Sequence, residues 1–401
     1  MSANSLPGAR VLPMRHLALF EAGFRVFFLL APLYAAASIL EWLLIYTGAI
    51  TLPADVAPTL WHAHEMIFGF AAAGVAGFFL TAVPNWTGAP FVRGLPLAAL
   101  AAIWLAGRIA MHLGGSLPPP LTAAIDLAFL PALAASVAPS LLRGGVGRNT
   151  MLLVVLMALW LADAAMQAEF IGGPQIAARG ARVAIDILAL LITVIGGRIV
   201  PAFTTTQLKL RGDRLPQSRA GLDKAAILSM ALLILSEAIV GVGEVTASIA
   251  LAAALIQATR LSLWRGIATW RQPILAVLHL GYAWLVLGLA LKGASGFLEW
   301  IPETTALHGL TIGAVGTMMT AVMSRAALGH TGRKIEAHKL TVAAYALISI
   351  AALLRIVAPA APELQLHLLT CSGVAWSAAF ALFLAVYVPI LTKPRADRQS
   401  G

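Results

Sequence analysis

Twelve long apolar runs constrain the fold of this 401-residue chain more than any other feature of its sequence. A helix needs about 20 apolar residues to cross the ~30 Å hydrocarbon core of a bilayer, and each run approaches that length. A helix also satisfies its own backbone hydrogen bonds, for which lipid offers no partners. The sequence therefore predicts an all-α, polytopic membrane protein with twelve transmembrane helices. The runs lie near residues 24–46, 59–83, 95–113, 121–142, 150–171, 181–199, 223–243, 246–264, 273–292, 305–327, 338–357 and 366–391.

The composition supports the same class of protein. Hydrophobic residues make up 60% of the chain and charged residues 11%, which leaves too little polar surface for a soluble protein of this size. The net charge of +10 does not indicate nucleic-acid binding, because the basic residues lie in short loops rather than in a long tract. We therefore expect membrane lipid, and no nucleic acid, as a partner. The single cysteine, Cys371, excludes a disulfide framework and a thiolate cluster.

The lysine and arginine residues indicate how the chain is oriented. Most of them fall in alternate loops, for example Arg93, Lys209 and Arg265, whereas the opposite loops carry few, with Arg179 and Arg182 as the main exceptions. Because basic loops stay on the cytoplasmic side, both termini are predicted to be cytoplasmic. We predict a cytoplasmic segment over 1–20, one transmembrane domain over 21–391 and a cytoplasmic tail over 392–401. The polar connection from Val200 to Leu222 is predicted to be an ordered cytoplasmic loop.

A weak internal repeat recurs every four spans. GVAGFFLTAV from Gly74 on the second span matches GAVGTMMTAV from Gly313 on the tenth, and Val-Pro pairs at Val83 and Val200 end the second and sixth spans. The matching residues are mostly small, so the common composition of membrane helices could also produce the similarity. If the repeat is real, three four-helix units surround a pseudo-threefold axis. The catalytic subunits of haem-copper oxidases have such a plan, and the similarity is one of architecture alone.

The second span begins with LWHAHEMIFGF, which places His62, His64 and Glu65 where ionisable residues are rare and usually functional. At ~100° per residue, side chains two positions apart on a helix point to nearly opposite faces. His62 and His64 are therefore predicted to serve two centres rather than to chelate one ion. Glu65, three residues from His62, is predicted to act beside it as a hydrogen-bond acceptor or a proton relay.

The predicted topology places several histidines near the outer ends of their helices. We interpret His62, His64 and His308 as metal or haem ligands, with His279 and His367 as further candidates. Arg108 and Arg355 have the depth expected of partners for haem propionates. A lone histidine in a membrane helix is more often a hydrogen-bonded packing residue, and this alternative stays open for each of them. A second alternative is a secondary transporter, in which helices broken at Pro84 and Pro201 shape a substrate site and His, Glu and Asp side chains relay protons.

Four motifs resemble the NnrS family of bacterial membrane proteins. They are WHAHEMIFGF with its TAVPNWTG ending, GGRIVPAFT, LHLGYAW around His279, and LHGLTIGAVGTMMTAVMSRAALGHTGR from Leu307. The resemblance covers about Trp61 to Arg333. It implies a twelve-helix, haem- and copper-containing protein of the inner membrane that is linked to the nitric oxide response. Nitric oxide is then the expected ligand or substrate, and an electron donor of unknown identity the expected partner. The resemblance assigns no ligand residues and leaves turnover, sensing and simple binding as alternatives.

One difference from the haem-copper oxidases bears on the chemistry. Those enzymes and their nitric-oxide-reducing relatives hold a second metal with histidines on the sixth and seventh helices. Here the spans 181–199 and 223–243 contain no histidine. A binuclear centre of that design is therefore not predicted.

Overall fold

Antiparallel helices, one for each predicted apolar run, make up most of the part of the chain that the computed structural model describes, residues 18–52, 56–143 and 150–398. They are α1 (Gly23–Tyr46), α2 (Pro58–Thr87), α3 (Leu95–His112), α4 (Pro119–Leu142), α5 (Met151–Phe170), α6 (Ala177–Arg211), α7 (Ala220–Ile239), α8 (Glu244–Ser262), α9 (Pro273–Ser295), α10 (Glu303–His330), α11 (Lys339–Ala360) and α12 (Pro362–Thr392). The predicted all-α architecture is confirmed. Residues 1–17 and 399–401, within the predicted terminal segments, lie outside the described residues.

The lengths and compositions of the helices are those of a multi-pass membrane protein. Eleven of them are long and apolar enough to cross a membrane. The remaining helix, α7, spans 20 residues but includes Asp223, Lys224 and Glu237. Asp223 and Glu237 form ion pairs with other helices.

The structure corrects one boundary and one feature of the transporter hypothesis. Helix α6 continues to Arg211, so most of the connection predicted from Val200 is helical. Pro84 and Pro201 lie inside α2 and α6 rather than at breaks. Threonine side chains bond carbonyls of the same turns, as Thr204 Oγ1 does with Val200 O at 2.8 Å. Such contacts are one way in which membrane helices tolerate proline.

Helices α2, α6 and α10 are the central elements of the bundle and contact one another. Each contains a wider π-helical stretch, over Glu65–Ala71, Ile192–Gly196 and Gly309–Gly316 respectively. These are the same three helices that the sequence repeat relates. Around them α1 packs on α12 and α12 on α11, which closes the ring of outer helices. The arrangement agrees with three four-helix units around a pseudo-threefold axis.

Side chains from neighbouring helices satisfy carbonyls inside two of the π-helical stretches. Trp104 Nε1 on α3 donates to Gly69 O at 3.0 Å, and Arg260 Nη1 on α8 donates to Thr193 O at 2.7 Å. A π-helical turn disturbs the regular ladder of backbone bonds, so these donors stabilise the widened turns. A β-carbon at Gly197 would overlap the Arg260 guanidinium. Gly197 therefore makes room for Arg260.

Most buried ionisable side chains collect at one end of the bundle, where α2, α4, α6, α8, α10 and α12 begin. We call it the His64 end. Three groups occur there. The acidic cluster comprises His64, Glu65, Arg108, Asp126 and Asp163; the imidazole pair comprises His62 and His308; and the ion-pair cluster comprises Arg182, Asp186, Glu237 and Lys292.

Candidate metal centres

The acidic cluster brings together side chains of α2, α3, α4 and α5, and its members are at most 4% exposed. His64 lies at its centre. Its Nδ1 lies 2.9 Å from Glu65 Oε1, and its Nε2 lies 3.0 Å from both Asp126 Oδ2 and Asp163 Oδ1. One imidazole thus contacts three carboxylates within the interior of the bundle.

Arg108 neutralises only part of this negative charge. Its Nη1 donates to Glu65 Oε1 at 2.6 Å, and its Nη2 donates to Asp126 Oδ1. The Tyr34 hydroxyl on α1 donates to the other oxygen of Glu65. The Gln167 amide donates to Asp126 Oδ2 at 2.7 Å and lies 3.2 Å from His64 Nε2. Neutral donors and one guanidinium therefore surround three carboxylates.

Local sequence explains how these helices approach so closely. A β-carbon at Gly69 would overlap the Tyr34 ring, and one at Gly107 would lie 3.1 Å from Asp126 Oδ1. Glycine at both positions leaves room for the ring and the carboxylate. The π-helical stretch of α2 begins at Glu65, directly after His64. The consecutive side chains of His64 and Glu65 are both buried in the same cluster, which a regular amphipathic pattern would not predict.

His62 points to a different set of side chains. Its ring stacks on Trp42 of α1, with 4.5 Å between the ring centroids and an interplanar angle of 12°. His308 on α10 is its electrostatic neighbour, and the charge of Arg355 on α11 acts on both rings. The two histidines of the WHAHE motif thus diverge as their spacing predicts. Whether each serves a metal centre stays a prediction.

The orientation of His308 leaves one ring nitrogen available. Its Nδ1 donates to the carbonyl oxygen of Thr304 at 2.6 Å, because a carbonyl can only accept. In a neutral imidazole the lone pair then resides on Nε2. A metal-bound histidine commonly has this second contact to a backbone carbonyl.

The ion-pair cluster has balanced charges. Lys292 Nζ lies 2.7 Å from Asp186 Oδ2 and 3.0 Å from Glu237 Oε2, and Arg182 Nε lies 2.6 Å from Glu237 Oε1. Two cations therefore face two buried carboxylates, and Arg182 Nε also lies 3.4 Å from the more exposed carboxylate of Glu303. This balance distinguishes the ion-pair cluster from the acidic cluster.

The other predicted site residues lie apart from these groups. His279 is 7% exposed, and its Nε2 lies 2.9 Å from the Thr204 hydroxyl near the opposite end of the bundle. His367 is exposed near the start of α12. Ligand roles for His279 and His367 stay predictions.

The structure also changes the neighbours expected for several predicted residues. Glu65 contacts His64 and Arg108 rather than its expected neighbour His62. Arg108 binds carboxylates of the protein itself. Arg355, which was predicted to pair with a haem propionate, lies near enough to His62 and His308 for its charge to act on both rings. The predicted ligands His62, His64 and His308 therefore divide between two places.

Sequence reasoning did not assign several residues of these clusters. Asp126 and Asp163 stand out as acids inside apolar runs, but their contact with His64 depends on which helices are neighbours. Tyr34 and Gln167 carry no signal in a sequence of this composition. Lys292 lies at the end of its apolar run, where an interfacial position is the usual interpretation.

Comparison with known proteins identifies the family. A family model described as NnrS protein matches residues 18–395. No curated protein matches the chain. The matched range includes all three groups at the His64 end, and proteins of this family generally bind metal. The match shows that the chain belongs to the NnrS family of membrane proteins related to the nitric oxide response.

Proposed function

We propose that this chain is a haem protein of the bacterial cytoplasmic membrane that acts in nitric oxide tolerance, with the haem near the outer leaflet beside the imidazole pair. The observation that carries the proposal is that His62 and His308 lie within electrostatic range of each other and of Arg355. The distribution of lysine and arginine supports the orientation, because it assigns the His64 end to the outer side.

The side chains of His62, His308 and Arg355 suit a haem. His308 has an imidazole nitrogen free to bind iron, and its other nitrogen is fixed by Thr304 O. Arg355 forms no ion pair with a carboxylate of the described residues. A partly buried guanidinium of this kind suits a propionate, because charge-assisted pairs with carboxylates are the strongest hydrogen bonds available to it. The planar stack of Trp42 on His62 would fix the orientation of the second imidazole.

A bare copper ion fits this place less well. The guanidinium of Arg355 would repel a cation bound between His62 and His308. Copper therefore needs a different group of side chains in this chain.

In this proposal the protein positions the site and controls access to it. A haem bound here would supply an iron to which nitric oxide binds. His308 would hold the iron, His62 would face it as the second imidazole, and Arg355 would orient the group through its carboxylates. Nitric oxide is small and uncharged, so it partitions into the bilayer and reaches a site that the helices shield from water.

The alternative function is a secondary transporter, and one observation favours it. The acidic cluster contains protonatable side chains deep in the bundle, as a proton relay requires. Continuous helices at Pro84 and Pro201 count against a substrate site formed by helix breaks. A transporter of this kind needs no haem.

The experiment is the absorption spectrum of the purified protein. We expect a Soret band that shifts when nitric oxide is added, and a haem signal in the pyridine haemochrome assay. His308→Ala and His62→Ala should each remove or strongly shift the band, because each removes an imidazole at the site. His338→Ala is the control and should leave the band unchanged, because His338 is exposed before α11, at the opposite end of the bundle. Colourless wild-type protein would falsify the proposal.

Turnover needs a separate measurement. A nitric oxide electrode records whether the purified haem protein consumes the gas steadily when an artificial electron donor is supplied. Steady consumption identifies an enzyme, whereas a single stoichiometric uptake identifies a binding or sensing protein.

A further inference from the structure

We propose that the acidic cluster is a second, non-haem metal site, which binds one divalent transition-metal ion through His64 Nε2, Asp126 and Asp163. This site goes beyond the haem proposal and does not depend on it. It lies on the other flank of α2 and uses none of the residues of the imidazole pair.

The donor atoms already converge on one point. One donor atom from each of the three residues lies within 4.8 Å of the other two. His64 Nε2 is 3.0 Å from both carboxylate oxygens. Tetrahedral coordination with bonds of about 2.1 Å separates donor atoms by roughly 3.4 Å. The three side chains therefore need to open by only a few tenths of an ångström to accept an ion.

Hydrogen bonding directs the His64 lone pair toward the same point. The contact of 2.9 Å between Nδ1 and Glu65 Oε1 requires a proton on Nδ1, because a carboxylate only accepts. In the neutral ring Nε2 is then a bare acceptor facing two carboxylate oxygens. The Gln167 amide, 3.2 Å from Nε2 and 2.7 Å from Asp126 Oδ2, supplies one donor at this point. A proton on Nε2 or a cation between the three acceptors relieves the repulsion that remains. A carboxylate that holds the opposite nitrogen of a metal-binding histidine, as Glu65 does here, is the usual arrangement around a bound metal.

The charge of the cluster points to an ion of charge two. Glu65, Asp126 and Asp163 supply three negative charges, and Arg108 supplies one positive charge. Protonation of His64 would leave one negative charge uncompensated in the interior of the bundle. A divalent cation with a neutral His64 balances the cluster. Buried uncompensated charge is costly, so states that compensate both negative charges are favoured, whether by one divalent ion or by two protons.

The donor set also selects the class of ion. One imidazole nitrogen with carboxylate oxygens suits borderline transition metals, whereas Mg²⁺ and Ca²⁺ prefer shells made entirely of oxygen. Among divalent ions of the first transition series, affinity for such sites rises to a maximum at Cu²⁺ and falls at Zn²⁺. The close packing of Tyr34, Arg108 and Gln167 around His64 leaves no room for a macrocycle.

Metal analysis of the purified protein tests the site. We expect one divalent ion per chain in addition to haem iron, measured by inductively coupled plasma mass spectrometry after dialysis against Cu²⁺ or Zn²⁺ and removal of excess metal. Asp163→Asn and His64→Gln should each lose this ion. Asp186→Asn is the matched control, because it removes a buried carboxylate from the ion-pair cluster and should keep the ion. Wild-type protein that retains neither metal overturns the proposal, as does Asp163→Asn protein that binds with wild-type affinity.

Measuring both the Soret band and the divalent ion in each variant distinguishes the two sites. Asp163→Asn should keep the Soret band, and His308→Ala should keep the divalent ion. Loss of the ion in His308→Ala would contradict a site built on the acidic cluster. Glu65→Gln should keep the ion but weaken its binding about 10- to 100-fold, as loss of the residue that orients a metal-binding histidine usually does.

A spectrum of the wild-type protein tests the ligand set without a variant that could misfold. Electron paramagnetic resonance of the Cu²⁺-loaded protein should show hyperfine coupling to the nitrogen of one imidazole. Coupling to two or more imidazoles would contradict the assignment, because His64 is the one histidine within the acidic cluster.

Discussion

Arg108 is the residue on which the charge of the acidic cluster most depends. It bonds Glu65 and Asp126 at once, and its side chain is 5% exposed. Arg108→Gln would leave both carboxylates without their cation, and breaking a buried ion pair from one side costs about 3–5 kcal/mol. We therefore expect a markedly lower thermal unfolding temperature for Arg108→Gln in detergent. The unfolding is measured by the intrinsic fluorescence of the tryptophan residues.

Arg93 supplies the control for that measurement. It is exposed in the connection between α2 and α3, so Arg93→Gln should unfold within a degree or two of the wild-type protein. Equal unfolding temperatures for Arg93→Gln and Arg108→Gln would show that Arg108 contributes no more than a surface charge.

At the residue scale, the sequence predicted the direction in which a side chain points better than the residues that it contacts. The spacing of His62 and His64 predicted opposite faces of one helix, and their different neighbours agree with this. The same reasoning assigned Glu65 to His62, because a regular helix places residues three apart on one face. The π-helical stretch that begins at Glu65 changes that geometry. No local signal in the sequence indicates a π-helix, since its extra residue is stabilised by contacts with other helices.

At the element scale Gly197 shows how one residue supports a widened turn. A β-carbon there would overlap the guanidinium of Arg260, which donates to Thr193 O and pairs with Asp223. Gly197→Ala should therefore displace Arg260 and destabilise the protein by about 1–3 kcal/mol, the usual cost of overpacking a core. The measurement is thermal unfolding or the rate of proteolysis in detergent.

Gly221 provides the control for the Gly197→Ala substitution. It lies in the first turn of α7 with nothing within 4 Å of the position of its β-carbon. Gly221→Ala should be neutral or slightly stabilising, because alanine favours helix more than glycine does. A loss of stability as large as that of Gly197→Ala would argue against the proposed role of the space at Gly197.

The existence of the helices could be predicted almost completely, because long apolar runs indicate helices of membrane-spanning length. Helix α7 is the exception, because it includes three charged residues. The helix ends were less predictable. Helix α6 continues through Pro201 and Thr204 to Arg211, although the sequence becomes polar at that point. Polarity indicates where a helix leaves the hydrocarbon, and it does not determine where the helix ends.

At the scale of the whole molecule, three polar groups lie at the same end of the bundle and differ in charge. The acidic cluster has excess negative charge, the ion-pair cluster is balanced, and the imidazole pair lies beside an arginine. The predicted repeat of four spans relates the three helices that carry the π-helical stretches. It could not predict which side chains meet, because each group combines residues from helices far apart in the sequence.

The biological meaning of the His64 end depends on which side of the membrane it faces. The exposed end of α6 and the connection to α7 carry Arg211, Arg214 and Arg219, whereas the loop around Glu299 carries no lysine or arginine. The positive-inside rule therefore predicts that Asp213 is cytoplasmic and that Glu299 faces outward. Single cysteines at these two exposed positions test the orientation once Cys371 is replaced by serine.

A membrane-impermeant maleimide added to intact cells should label Glu299→Cys and leave Asp213→Cys unlabelled until the cells are permeabilised. Both positions are exposed, so a difference in labelling reports the side of the membrane rather than burial. The reverse pattern would place the imidazole pair and the acidic cluster at the cytoplasmic face. Metal ions and electrons would then reach the His64 end from the cytoplasm, and the outer-leaflet position of the proposed haem would be wrong.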